Sequence, residues 1–286
     1  MIVITGATGQ LGQLVISQLL EKVPAGQIVA AVRDPAKAAE LAARGVQVRR
    51  ADYNDAASLD AAFAGAEKVL LISSSEIGQR TAQHRNVVDA AARARVKLLA
   101  YTSLLHADSS ALGLAAEHVA TEEAIRSSGV PYSFLRNGWY HENFLTRVQA
   151  GAAHGVVSGS AGSGRIASAA REDYAAAAVA VLTAAAPEQV YELAGSERFT
   201  LADLAAETAR QSGRAVVYQD LPEAEFKAVL LGVGVPEVYA ELIANSDAGA
   251  TRGALDDDSG TLARLIGRPT RGLMDAVQAA LAAADQ

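Results

Sequence analysis

The hydrophobic positions of the first half alternate between short apolar runs and longer stretches with helical spacing. Residues 2–4 form a β-branched run, which predicts a strand buried on both faces. Leu11, Leu14, Val15 and Leu19 then recur at helical spacing, so a helix is predicted to begin in the intervening glycine-rich segment. The same alternation continues to residue 135. It predicts repeated βαβ units, and therefore an α/β fold with a doubly wound parallel sheet of the Rossmann type.

Six strands and their connecting helices are predicted in this half. The strands cover residues 2–4, 27–32, 46–48, 69–72, 98–103 and 132–135, with later helices around 59–63, 86–94 and 117–127. Asp34 precedes Pro35, a pair that indicates a helix cap followed by proline at the first helical position.

The pattern changes in the second half. Residues 151–164 are rich in glycine, serine and alanine, which predicts irregular or short-strand structure. A helix is expected over 171–185, strands over 190–193 and 216–218, and helices in most of the rest. Thr200 and Asp203 predict a helix start of the capping-box kind. We therefore expect a domain over residues 1–150 and a smaller, mostly helical C-terminal substrate cap over 151–286, of which about 165–195 could return to the Rossmann sheet.

Composition narrows the functional classes. The 286 residues carry a formal net charge of −7 without a basic cluster, which argues against a nucleic-acid partner. There are no cysteines, and the five histidines have no paired spacing typical of zinc, so no metal is expected. No apolar run could span a bilayer and no signal peptide is evident, so a cytoplasmic location without a membrane partner is expected. The oligomeric state stays open.

The segment between the first strand and the first helix predicts a dinucleotide site in residues 1–150. Gly6, Gly9 and Gly12 follow one another at intervals of three. Gly6 would permit the tight turn, Gly9 the approach of a pyrophosphate, and Gly12 close packing of helix on strand. The unpaired N–H groups and the dipole of the helix N-terminus favour that anion. The cofactor-binding candidates in this turn are Gly6, Thr8, Gly9, Gln10, Leu11 and Gly12.

Arg33 indicates which nicotinamide cofactor is preferred. It lies 21 residues after Gly12, at the end of the second predicted strand. An acidic residue near this position would bind the ribose 2′-hydroxyl of NADH, whereas an arginine suits a 2′-phosphate. The neighbouring Asp34 is better explained as the helix cap. We therefore expect NADPH, with a solvated surface arginine as the alternative.

Polar residues at the other strand ends are further candidates, because ligands bind at the carboxyl ends of strands in open α/β sheets. Asp52 follows the third strand and would flank the adenine or serve as a loop aspartate. The remaining cofactor-binding candidates are Ser73, Ser74, Ser75, Asn137, Gly138 and Trp139, although packing would also explain Trp139. The catalytic candidates are Tyr140, Tyr101 and Ser103, and Tyr140 has plain packing as its alternative.

Several segments together resemble a known family. They include residues 5–12, 30–37, 51–53, 71–76, 101–107 and 135–140, among them Ser73-Ser74-Ser75-Glu76 and Asn137-Gly138-Trp139-Tyr140. These segments resemble the NmrA-like branch of the atypical short-chain dehydrogenases, and within it the bacterial type 2 NAD(P)H:quinone oxidoreductases. The resemblance covers essentially the whole chain. It implies NADPH binding and direct hydride transfer to a quinone, without flavin.

One departure from the wider superfamily bears on mechanism. Most short-chain dehydrogenases use a Tyr-x-x-x-Lys pair, but the chain has no such pair, and the helix expected to supply it contains His118 and Glu122. A quinone accepts hydride readily, so holding two flat rings together could supply most of the rate. The resemblance leaves two alternatives open. One is reduction of another planar acceptor such as a triphenylmethane dye, and the other is an NADP-binding redox sensor without turnover.

Overall fold

The computed structural model describes residues 1–283 and contains nine strands in two sheets. The strands are β1 (Ile2–Thr5), β2 (Ile28–Val32), β3 (Gln47–Arg50), β4 (Lys68–Leu71), β5 (Leu98–Leu104), β6 (Tyr132–Asn137), β7 (Val156–Gly159), β8 (Val190–Leu193) and β9 (Val217–Asp220). The α-helices are α1 (Gln10–Leu19), α2 (Ala39–Ala43), α3 (Ala56–Ala62), α4 (Arg80–Arg93), α5 (Ala115–Ser128), α6 (Leu145–His154), α7 (Arg171–Thr183), α8 (Leu201–Ser212), α9 (Glu223–Gly232), α10 (Glu237–Ala250), α11 (Thr261–Ile266) and α12 (Leu273–Ala282).

The larger sheet has seven strands in the order β3-β2-β1-β4-β5-β6-β8. Strands β1 to β6 pair in parallel, with β1 between β2 and β4. The chain order therefore reverses at the boundary between β1 and β4, which is the point where open α/β sheets bind their ligands. The predicted doubly wound Rossmann sheet is confirmed.

Alternation along these strands directs side chains to both faces, and each face is covered by helices. On one face, Val3, Val69 and Leu99 join a buried cluster with Phe63, which follows α3, and with residues of α4. On the other face of the sheet, α1 and α7 pack against each other. Gln18 Nε2 donates to the carbonyl of Glu172 at 3.1 Å. Burial on both faces explains why the strands are almost continuously apolar.

The chain forms two compact units. The first comprises Met1–Ala107, Ala116–Asn137 and Arg171–Tyr191, and the second comprises Asp108–Ala115, Gly138–Ala170 and the chain from Glu192 onwards. Residues 138–150, expected in the first domain, thus lie in the second unit, whereas helix α7 lies in the first. The second unit contains most of the later helices and a small parallel sheet of β7 and β9.

Two local predictions in the second half have different outcomes in the structure. Residues 151–164 are predicted to be irregular or short-strand, and residues 156–159 do form the short strand β7. Helix α6, however, extends through His154, and Gly155 caps it with a φ of +79°. The alanines and glycine within α6 obscure its period, so the sequence pattern missed the helix. The capping box at α8 is confirmed, because Thr200 and Asp203 each bond the other's backbone N–H.

Candidate dinucleotide-binding site

The glycine turn has the backbone geometry that the sequence predicts. Gly6 adopts a φ of +59°, which permits the turn from β1 and disfavours any residue with a Cβ. A Cβ on Gly12 would lie 2.4 Å from the carbonyl oxygen of Gly6 and 2.8 Å from the Cα of Ala7, so only glycine allows this helix-to-strand approach. Gly9 precedes the first turn of α1 and is exposed. This arrangement leaves the first N–H groups of α1 able to receive a pyrophosphate, so the turn fits a dinucleotide.

Hydrogen bonds of the Thr5 and Tyr53 hydroxyls connect β1 and β4 at the edge of this turn. Thr5 Oγ1 donates to the carbonyl of Leu70 at 3.0 Å and accepts from the backbone N–H of Ile72 at 3.1 Å. The Tyr53 hydroxyl lies 2.5 Å from Thr5 Oγ1 and donates to the carbonyl of Ile72 at 2.8 Å. Burial raises the pKa of Tyr53, so its hydroxyl stays protonated. Tyr53 therefore links the ends of β1 and β4 at the point where the strand order reverses.

The serine loop after β4, Ser73 to Ser75, is held from behind by buried side chains. The Ser73 backbone N–H donates to Thr102 Oγ1 at 2.9 Å, and the Ser74 backbone N–H donates to His84 Nε2 at 2.9 Å. The Ser74 carbonyl accepts from Arg80 Nε at 2.8 Å. These bonds fix the backbone of the loop, while the Ser75 side chain is exposed.

The surroundings of His84 keep its imidazole in one protonation state. Because His84 Nε2 is an acceptor, the proton of the neutral ring lies on Nδ1, which is 3.0 Å from Thr121 Oγ1. Burial, and to a smaller extent the nearby positive charge of Arg80, together lower the pKa of His84 to about 3. The imidazole is therefore neutral at physiological pH and can keep accepting from Ser74.

Arg33, the candidate for a 2′-phosphate, is exposed and paired. Its Nη1 lies 3.0 Å from Glu76 Oε1, with the two side chains 73% and 43% exposed. Asp34 does cap the following turn, because its carboxylate accepts the backbone N–H of Ala36 at 3.0 Å. Asp52 likewise turns its carboxylate to the backbone N–H of Asn54 at 2.9 Å. The cap prediction for Asp34 is confirmed, and a cofactor role for Asp52 remains a prediction.

Two of the three catalytic candidates, Tyr101 and Ser103, are buried, and their hydroxyls contact other buried side chains. Tyr101 is 0% exposed, and its hydroxyl lies 2.7 Å from His118 Nδ1. Ser103 Oγ donates to Glu122 Oε1 at 2.6 Å. Glu122 is also bound by Arg136, with contacts of 2.9 Å and 2.8 Å, and by Arg126 at 2.9 Å. Both hydroxyls thus belong to buried hydrogen-bond networks within the first unit.

The segment after β6 is more open. Asn137 is buried, and within residues 1–283 its Oδ1 is without a hydrogen-bond partner, which a ligand N–H group would satisfy. Gly138 donates its backbone N–H to the carbonyl of Leu193 at 2.8 Å. Trp139 and Tyr140 are partly buried, and Tyr140 forms an isolated parallel bridge with Ala169. Tyr140 is thus more accessible than the other two catalytic candidates.

The family model described as NmrA-like matches residues 1–257. The chain belongs to the NmrA-like family. The resemblance predicted from the strand-end motifs is therefore confirmed.

Two solved structures and a curated relative resemble this NmrA-like chain over nearly its full length. Quinone oxidoreductase 2 of Escherichia coli is 58% identical over 278 residues, which is 97% of each chain. The E. coli structure of an NADPH-dependent quinone oxidoreductase with NADPH has a TM-score of 0.96 at 57% identity, covering 98% of this chain and 100% of that one. The triphenylmethane reductase of Citrobacter sp., solved with NADP(H), has a TM-score of 0.94 at 42% identity and covers 98% and 100%.

Several residues of the site could not be assigned from the sequence. Glu76 appears in the sequence only as part of a motif, and His84 and Glu122 contact their partners from helices. These partners lie 43, 10 and 19 residues away along the chain, so no local pattern marks them. Over the described chain, no group of three or more acidic or histidine side chains could hold a metal ion. The same residues include no helix that is long and apolar enough to cross a membrane.

Proposed function

We propose that this NmrA-like protein is an NADPH-dependent oxidoreductase that transfers hydride directly to a quinone, without flavin. The observation that carries the proposal is the near full-length similarity to the E. coli quinone oxidoreductase 2 and to its structure with NADPH. The glycine turn at the reversal of the sheet, with its left-handed Gly6 and tightly packed Gly12, supports the same cofactor class.

Particular residues would hold the cofactor. The backbone N–H groups of Gln10, Leu11 and Gly12, at the N-terminus of α1, suit the pyrophosphate, with Thr8 and Gly9 in the preceding turn. The guanidinium of Arg33 suits the 2′-phosphate. The fixed serine loop, Ser73 to Ser75, would border the cofactor, and the amide oxygen of Asn137 suits an N–H donor such as a carboxamide. When bound, NADPH supplies the hydride.

The remaining chemistry concerns the acceptor. Without a Tyr-x-x-x-Lys pair, no dedicated tyrosine acid is expected, and a quinone tolerates this because its reduced oxyanion can take a proton from water or from a nearby hydroxyl. Tyr140 is the first candidate to position the quinone ring or to donate that proton. Tyr101 and Ser103 would instead act through the buried network that contains them.

The test is NADPH oxidation by purified protein on addition of a quinone. The visible spectrum is recorded first, and the expected result is turnover without flavin absorption. Gly9→Val, which should fold but not bind the pyrophosphate, is the matched inactive control. Turnover that depends on added flavin would refute direct transfer, and cofactor binding without any turnover would favour the redox-sensor alternative.

A second acceptor has its own supporting observation. The Citrobacter triphenylmethane reductase is 42% identical to this chain with a TM-score of 0.94. A triphenylmethane dye should therefore be tested beside the quinone. A higher kcat/KM for the dye would reassign the acceptor while leaving the NADPH site unchanged.

A further inference from the structure

The residue assigned to the 2′-phosphate already binds an anion of this protein. Arg33 follows β2, and Glu76 lies in the loop after β4, so the two side chains meet from strands on either side of β1. Arg33 Nη1 and Glu76 Oε1 are 3.0 Å apart. A carboxylate therefore occupies part of the guanidinium that would receive the phosphate.

Glu76 is directed towards Arg33 by its own contacts. Its backbone N–H donates to Ser74 Oγ at 3.1 Å, and its Oε2 accepts from Gln83 Nε2 at 2.7 Å. Gln83 is only 2% exposed, so a buried amide on α4 holds one carboxylate oxygen while the other faces Arg33. Because Ser74 is itself fixed by His84, the position of Glu76 is set by the same loop that would border the cofactor.

We infer that Glu76 determines cofactor specificity by competing with the 2′-phosphate of NADPH for Arg33. The inference rests on the proposed function, because it assumes that Arg33 meets the 2′-phosphate. Carboxylate and phosphate both bind guanidinium through paired N–H groups, so either anion occupies donors that the other needs. The ion pair is exposed, hence individually weak and replaceable. A ribose 2′-hydroxyl does not need the Arg33 guanidinium. Glu76 therefore weakens the binding of NADPH but not of NADH, and so reduces the ratio of their affinities.

The experiment compares Glu76→Gln with the wild type by calorimetric titration of NADP⁺ and NAD⁺. Adenosine 2′,5′-bisphosphate and adenosine 5′-monophosphate serve as probes of the adenosine end alone. Glutamine keeps the shape of the side chain and can still accept from Gln83, but it is uncharged. We expect NADP⁺ and the bisphosphate to bind about three- to tenfold more tightly, while NAD⁺ and the monophosphate change by less than about twofold.

Two controls separate competition from a general change of charge. Glu67→Gln alters the net charge equally at an exposed carboxylate that pairs with Lys97 at 3.3 Å, ahead of β4, and should leave the NADP⁺ to NAD⁺ ratio unchanged. In an Arg33→Ala background, Glu76→Gln should tighten NADP⁺ by less than about twofold, because the shared partner is gone.

The inference is overturned if Glu76→Gln and Glu67→Gln give the same ratio, or if the gain persists without Arg33. Quinone reduction is not measured in these titrations. Wild-type protein that binds NADP⁺ but reduces no quinone would refute the proposed reaction, and the titrations would still decide the role of Glu76. Wild-type protein that binds no NADP⁺ would overturn both.

Discussion

His84 Nε2 accepts the backbone N–H of Ser74 at 2.9 Å, so a side chain buried in α4 fixes the loop beside the candidate cofactor site. The bond requires an imidazole without a proton on Nε2. The second ring nitrogen is already directed at Thr121, and burial disfavours the charged form. The loop and the protonation state of the histidine are therefore linked, which gives the stability of the protein a defined pH dependence.

We predict that the wild type loses stability as pH falls below about 6.5, and that His84→Gln reduces this loss. The pKa of His84 is about 3 in the folded protein, below its ordinary 6.5, so between these values the unfolded chain binds the extra proton. Its contribution is complete above pH 6.5. It decreases by roughly 1.4 kcal/mol per pH unit below that, or about 2 kcal/mol at pH 5.

Urea unfolding of wild type and variant at pH 7.5 and pH 5 measures this difference. Glutamine can accept the Ser74 N–H without titrating. His154→Gln, at the exposed end of α6, is the control and should follow the wild type. Parallel pH dependence in wild type and His84→Gln would contradict the prediction. His118, whose pKa burial also lowers to about 3, should contribute with the same sign.

We predict that Arg33→Ala removes most of the preference for NADPH. A charge-assisted contact with the 2′-phosphate should favour NADPH by about 1.5–3 kcal/mol, or roughly ten- to a hundredfold. The measurement is the dissociation constant of each cofactor for wild type and variant. Arg93→Ala removes an exposed arginine that is likewise ion-paired, to Asp60 at 2.8 Å, and should keep the preference. An unchanged preference in Arg33→Ala would show that the phosphate lies elsewhere.

We predict opposite outcomes for two glycines of the same turn. Gly9→Val should abolish cofactor binding, because the side chain would occupy the space that the pyrophosphate needs. The fold should stay largely intact, since Gly9 is exposed with a φ of −76° and its Cβ would approach only the Gly6 carbonyl oxygen, at 3.2 Å. Gly12→Ala should destabilise the protein by about 1–3 kcal/mol, since its Cβ would overlap backbone atoms at 2.4 Å and 2.8 Å. Circular dichroism melting and an NADPH titration check both variants. Normal NADPH affinity in folded Gly9→Val would refute the pyrophosphate assignment.

We predict that Tyr140→Phe separates ring positioning from proton donation. If Tyr140 positions the quinone, the rate should fall only a few-fold, whereas loss of a proton donor should cost about a hundredfold or more. Single-turnover oxidation of deuterated NADPH should show a primary isotope effect where hydride transfer limits the rate. Tyr239→Phe, on the exposed surface of α10, is the control and should match the wild type. Equal rates in Tyr140→Phe and wild type would exclude any role of the hydroxyl in the reaction.

The sequence predicted the elements whose determinants are local. The glycine spacing gave the β1–α1 turn, and the Asp34-Pro35 pair gave a helix cap that the structure contains. The parallel sheet could be predicted from the apolar runs, because a strand that is buried on both faces is almost continuously hydrophobic whichever strand it pairs with. Boundaries were less accurate, and β6 extends to Asn137 rather than stopping at residue 135.

Long-range polar contacts could not be predicted in the same way. Tyr101 and Ser103 lie in the second half of β5, towards the carboxyl end where catalytic residues are often found. Both side chains are nevertheless directed at α5, where they contact His118 and Glu122. The choice between an open site and a buried partner depends on which helix face packs against the sheet. The sequence of the strand does not contain that information.

Glu122 also limits which reactions this scaffold can acquire. His118 and Glu122 have the same separation as the two members of a Tyr-x-x-x-Lys pair. The carboxylate of Glu122 is only 1% exposed and neutralises Arg136, itself 3% exposed, as well as one side of Arg126. Introducing a lysine at position 122 would place three cations together and remove the buried carboxylate that now pairs with Arg136, at a cost of about 3–5 kcal/mol. Converting the protein to a tyrosine-dependent carbonyl reductase therefore requires replacing Arg136 together with His118 and Glu122. No single substitution can introduce that chemistry.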